Sequence, residues 1–155
     1  MTFQLVSDLH LELFPGFRMD HVTADYLILA GDIGDPLENE YADFLEDCAK
    51  KYVNVFVMMG NHEGYNGMTW DFNKWAVQGL GLANIVLLDK TRFDIVGTDL
   101  RVAGTTLWSH IPADAMHDVG CFIADFRKIK VRTRHMAYEF SRGHAVGPFS
   151  YDFVV

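Results

Sequence analysis

Three short motifs contain the residues best suited to chemistry. They are Asp8 and His10 in Ser7-Asp8-Leu9-His10, Asp32 in Gly31-Asp32, and Asn61 and His62 in Gly60-Asn61-His62-Glu63. Carboxylate, imidazole and amide oxygen form a donor set suited to borderline divalent cations such as Mn, Fe or Zn. In an extended chain the i, i+2 spacing of Asp8 and His10 puts both side chains on one side, within reach of one ion. Gly31 and Gly60 allow a tight turn just before Asp32 and Asn61. Each residue alone also has an ordinary structural reading: an Asp can cap a helix, an Asn can sit in a turn, a His can be satisfied in the core. The case for a site rests on their conjunction.

That conjunction comes from the elements around them. Phe3–Val6 reads as a short strand, and Tyr26–Ala30 as an apolar run buried on both faces. A third such run covers 53–58. Between 40 and 52 the apolar residues Tyr41, Phe44, Leu45, Cys48 and Tyr52 make an amphipathic helical stripe, acidic early and basic late. A second helix is predicted over 69–78. Further strands are predicted over 85–88, 92–96 and 100–107, the last two forming a hairpin around Gly97-Thr98-Asp99. A last helix is predicted within 122–141. Strand, helix and strand with short links imply parallel strands, and ligands in such sheets bind beyond the strands' carboxyl ends. Each of the three motifs falls at such an end.

Composition sets outer bounds. The 155 residues are 50% hydrophobic and 14% aromatic, which suits one folded domain over 1–155 and excludes disorder as a description of the whole chain. No run of about 20 apolar residues exists to span a membrane. The first residues do not read as a secretion signal, so a cytoplasmic location is expected. Cys48 and Cys121 make no disulfide framework and are both expected to be buried. The net charge is −8, and residues 121–155 alone carry +3. The acidic balance and the lack of a long basic groove argue against nucleic acid as a partner.

The order D-x-H, G-D, G-N-H-E closely resembles the calcineurin-like metallophosphoesterases. Ala24 to Gly34 resembles that family's second block, and Ala103 to Ser109 and Asp125-Phe126-Arg127 resemble later blocks of its small bacterial and phage-type members. The match is strongest over 2–130. The resemblance implies an α/β fold, a layered β-sheet with flanking helices. It implies a hydrolase that uses metal-activated water on a phosphomonoester or phosphodiester, the substrate being a phosphorylated small molecule or a phosphodiester. By the same resemblance Asp8 and His10 ligate one metal and Asp32 bridges to a second. Asn61 ligates the second metal and touches a phosphate oxygen. His62 stabilises developing charge or protonates the leaving oxygen.

The sequence also departs from the family. Its T-H-H and G-H-x-H blocks are missing; Gly143-His144 echoes the latter, but Val146 stands where the second histidine belongs. Residues 135–155 read as an atypical tail, and the domain as truncated in its C-terminal half. One metal on Asp8, His10 and Asp32 is then the simpler expectation, with two as the family's full complement. The competing reading is a catalytically weak metal-binding or interaction module. Uncovered strand surface also predicts self-association as a homo-oligomer. Arg127 to Arg134 carry five positive charges; they form either a solvated face or a cationic wall in which Arg127 contacts substrate.

Overall fold

A computed structural model describes residues 1–130 of the chain. Its centre is a parallel sheet of four strands in sequential order: β1 (Phe3–Val6), β2 (Tyr26–Ala30), β3 (Asn54–Met58) and β4 (Ile85–Leu87). The register pairs Leu5 with Ile28, Ile28 with Phe56 and Phe56 with Val86. Helix α1 (Asn39–Lys51) links β2 to β3, and α2 (Trp70–Gly79) links β3 to β4. The antiparallel pair β5 (Thr91–Asp94) and β6 (Arg101–Gly104) comes next.

Side-chain alternation explains why β2 and β3 are apolar throughout. Leu27, Leu29, Val55 and Val57 pack with Tyr41, Phe44, Leu45 and Cys48 of α1 and with Val77 of α2. Tyr26, Ile28, Phe56 and Met58 point the other way and pack with Phe93, Ile95 and Val102 of the β5–β6 hairpin. A strand covered on both faces has no polar side to keep. Phe44 and Leu45 are fully buried, each worth about 1.5–3 kcal/mol of apolar transfer. These layers hold the carboxyl ends of β1, β2 and β3 side by side.

The fold is the α/β layered sheet with flanking helices that the motifs implied, and several local expectations need correction. Over the described part of the helix expected within 122–141, the chain ends α3 (Met116–Phe122), extends at Ile123, and makes the single turn α4 (Asp125–Lys128), while 131–141 lie outside the described residues. Ile129 is then extended and buried, and Lys130 bridges in parallel to Thr69. The alternation Ile129-Lys130-Val131-Arg132 has the period of a strand, which competes with the helical spacing there. Cys48 is buried as expected, whereas Cys121 is exposed on α3. Strand β6 ends at Gly104, and Leu107 is exposed. Among the described residues no helix is long and apolar enough to cross a membrane.

Candidate active site

The exit of β1 is hydrogen-bonded onto the exit of β2. The N–H groups of Asp8, His10 and Leu11 donate to the carbonyls of Gly31, Asp32 and Ile33 at 3.1, 3.0 and 2.9 Å. To take that path, Asp8, His10 and Asp32 each adopt left-handed backbone, with φ of 55°, 49° and 54°. Asp8 and His10 therefore do not share a side by extended alternation, as their spacing suggested; the turn itself brings them together. Such a conformation costs a non-glycine residue about 1–2 kcal/mol, and Asp and His are among the residues that tolerate it best. Three such residues at one rim mark a place where the fold spends stability on geometry.

The result is a compact donor set. One ligand atom from each of Asp8, His10 and Asp32 lies within 4.8 Å of the others. Two carboxylates and an imidazole at that separation fit a divalent cation. The carboxylates offset its charge, and the site is open enough for further ligands.

Close backbone approach explains the glycines. Gly31 has φ 93°, and a Cβ there would sit 2.7 Å from the nitrogen of Gly60. A Cβ on Gly60 would run into the Asp32 carboxylate and lie 2.5 Å from the Asp32 nitrogen. Across this contact Asp32 Oδ1 accepts the His62 N–H at 2.8 Å.

Glu63 lies beneath the rim and is completely buried. Its Oε2 accepts the N–H of Asp32 at 3.1 Å and of Gly60 at 2.8 Å, and its Oε1 accepts that of Ile33 at 2.8 Å. One carboxylate thus ties the exits of β2 and β3 together. Burial pushes its pKa up to about 7, against the opposing pull of these backbone donors. Gly60 is a donor from its own turn, but the other two belong to the β2 exit, 31 and 30 positions away, which no local pattern reveals.

His62 begins a single 3-10 turn, His62–Gly64. Its ring lies 4.3 Å from that of His10, edge-on, and 4.5 Å from that of Tyr65. Glu12 Oε1 lies 3.2 Å from His10 Nδ1 and 3.1 Å from His62 Nδ1. Burial opposes ionisation of Glu12, but a backbone hydrogen bond and the two imidazoles together hold its pKa below the usual carboxylate range. Glu12 was missed as a site residue, although it sits two positions beyond His10 on the same turn.

Asn61 Nδ2 donates to the Tyr65 hydroxyl at 2.9 Å and to Asp125 Oδ1 at 3.0 Å. With the amide nitrogen turned toward Tyr65 and Asp125, its Oδ1 is left as the acceptor. The Tyr65 hydroxyl donates a short hydrogen bond to Asp125. Burial and that carboxylate push the Tyr65 phenol up to about 12, so it remains a neutral donor. Lys128 Nζ stands 4.3 Å from the centre of the Tyr65 ring. Arg127 is directed elsewhere: its Nη1 donates to the Cys121 carbonyl at 2.6 Å. His135, His144, Arg132 and Arg134 lie outside the described residues.

Known proteins resemble this chain in sequence and in fold. A family model for calcineurin-like phosphoesterases matches residues 1–143. An uncharacterized protein of Acanthamoeba polyphaga mimivirus is 30% identical, aligned over 81% of this chain and 50% of its own length. The chain thus spans about half the length of that relative. The crystal structure of a phosphopantetheinyl hydrolase from Mycobacterium tuberculosis superposes with a TM-score of 0.61 at 13% identity, covering 92% of this chain and 59% of that one. At that identity the likeness concerns the fold alone. A matching family model, a shared fold and three ordered motifs at adjoining strand ends together place this chain in the calcineurin-like phosphoesterase family.

Proposed function

We propose that the chain hydrolyses a phosphomonoester or phosphodiester with the help of a divalent cation. The reading is carried by the convergence of Asp8, His10 and Asp32 within 4.8 Å, with the His62 ring against that of His10. Family membership supports a metal-dependent phosphoesterase in general. Asp8, His10 and Asp32 would hold the cation, with Mn, Fe or Zn suited to the donor set. When bound, such an ion supplies Lewis acidity and charge neutralisation for attack of water on phosphorus.

The chain's own groups do the rest. Asp32 is held in place by the His62 N–H, so its carboxylate stays fixed as charge develops. Asn61, its amide nitrogen engaged by Tyr65 and Asp125, presents Oδ1 to a second cation or to the substrate's hydration shell. His62 carries a proton to the leaving oxygen, a role that suits an imidazole near neutral pH.

The test is hydrolysis of an aryl phosphate and an aryl phosphodiester by the metal-stripped chain with added Mn. Turnover that falls at least about 100-fold in Asp32→Asn and His62→Ala supports the reading. Turnover unchanged by both substitutions overturns it. Tight cation binding with no turnover on either ester class favours the interaction-module reading instead.

A further inference from the structure

We propose that Glu12 is a positioning residue that fixes the tautomer of two imidazoles at once, those of His10 and His62. Its Oε1 accepts from Nδ1–H of both rings, at 3.2 and 3.1 Å. That leaves Nε2 as the free nitrogen of each ring: on His10 a donor for a cation, on His62 the atom that takes up and releases a proton. The proposal rests on the phosphoesterase reading for the use of the two rings, not for the hydrogen bonds themselves.

Three observations carry it. First, one carboxylate oxygen serves rings from two different turns, which lie edge-on at 4.3 Å. Two neighbouring rings that share one acceptor are constrained together. Second, several other carboxylates around the rim are engaged by donors of their own. Glu63 takes three backbone N–H groups, and Asp35 takes the Leu37 N–H and Asn66 Nδ2. Asp125 takes Asn61 and Tyr65, and Asp32 takes the His62 N–H. Third, Glu12 Oε2 is shielded from solvent and has no hydrogen-bond partner among the described residues. A side chain retained for stability alone would not leave a carboxylate oxygen in that state, because the burial is costly. Hydrogen bonds of this kind set which nitrogen of a ligating histidine faces the ion and how firmly the ring is held.

His10, Glu12 and His62 also form a compact trio in their own right, with ligand atoms within 4.8 Å of one another. A cation seated there would use the Nδ1 atoms, the opposite of what is proposed. The two arrangements are therefore separable by experiment.

The experiment is long-range proton–nitrogen correlation NMR on the full, 15N-labelled, metal-stripped chain, at a pH where both rings are neutral. The expected result is the Nδ1–H form in both rings. Glu12→Ala should return both to the Nε2–H form that predominates in free histidine. Glu12→Gln, with the same shape and one acceptor oxygen, should retain Nδ1–H. Added Zn should shift Nε2 of His10, with affinity about 10–100-fold weaker in Glu12→Ala. Nε2–H rings in the unsubstituted chain overturn the proposal, and this arm needs no variant to fold. So do tautomers unchanged in Glu12→Ala, or Zn shifts on Nδ1 of both rings. A chain with these tautomers and no phosphoesterase activity sinks the hydrolase reading and leaves the positioning role intact. An active chain whose tautomers ignore Glu12 does the reverse.

Discussion

The Asp32 carboxylate accepts a hydrogen bond from the His62 backbone N–H at 2.8 Å, and this contact joins the exit of β2 to that of β3. The side chain best placed to hold a cation is thus fixed by the main chain of the neighbouring motif. Changes to backbone spacing between the two turns should reach the cation site without replacing any ligand.

Gly60→Ala is the simplest such change. Its Cβ would collide with the Asp32 carboxylate and backbone. The turns must part to admit it, at a cost of about 1–3 kcal/mol. Thermal unfolding should show a lower melting temperature, and cation titration a weaker site. Wild-type values in both would mean that the close approach does not matter.

Glu63 gives a pH dependence with a definite sign. Its folded pKa is raised to about 7 from an ordinary 4.5, so the folded chain holds this proton where the unfolded chain has lost it. The contribution is full below about pH 4.5 and is lost as pH rises through about 7, amounting to at most about 3 kcal/mol. Glu12, Asp25, Glu40 and Asp94 are lowered, so their contributions are lost only as pH falls through the acid range. Denaturant unfolding of the metal-stripped chain between pH 4.5 and 7.5 (about the span of the Glu63 shift) isolates the Glu63 part by comparison with Glu63→Gln. The substituted chain should lack this downward slope; an identical slope in both chains would refute the assignment.

The Asn61 amide is aimed by Tyr65 and Asp125. Tyr65→Phe removes one partner and should cost about 1 kcal/mol, seen as a several-fold fall in kcat with little change in melting temperature. Asp125→Ala removes the acceptor shared by both groups and should cost more. Equal kcat in all three chains would show that the amide needs no such support.

Much of this was legible from residue order alone. Apolar runs such as Leu27 to Ala30 and Val55 to Met58 mark doubly covered parallel strands, and the fold rule then nominates the residues just beyond their carboxyl ends. Asp8, His10 and Asp32 meet where that rule places them. The parts that stayed hidden depend on contacts between turns distant in sequence. Two of the backbone donors to Glu63 belong to Asp32 and Ile33, 31 and 30 positions away. Half the partnership of Glu12 likewise lies 50 positions away, on His62. On α2, Asn73 and Val77 take the inward face and the Trp75 ring is exposed, a choice set by packing rather than by residue type.

The function proposed for this chain depends on Asp8, His10 and Asp32 forming one cation site. The decisive measurement is calorimetric titration of Mn into the metal-stripped chain, set beside the same titration of Asp32→Ala. Saturable binding by the unsubstituted chain, lost in the variant, is the expected outcome. Equal affinity in the two chains, or no binding by either, would rule the site out.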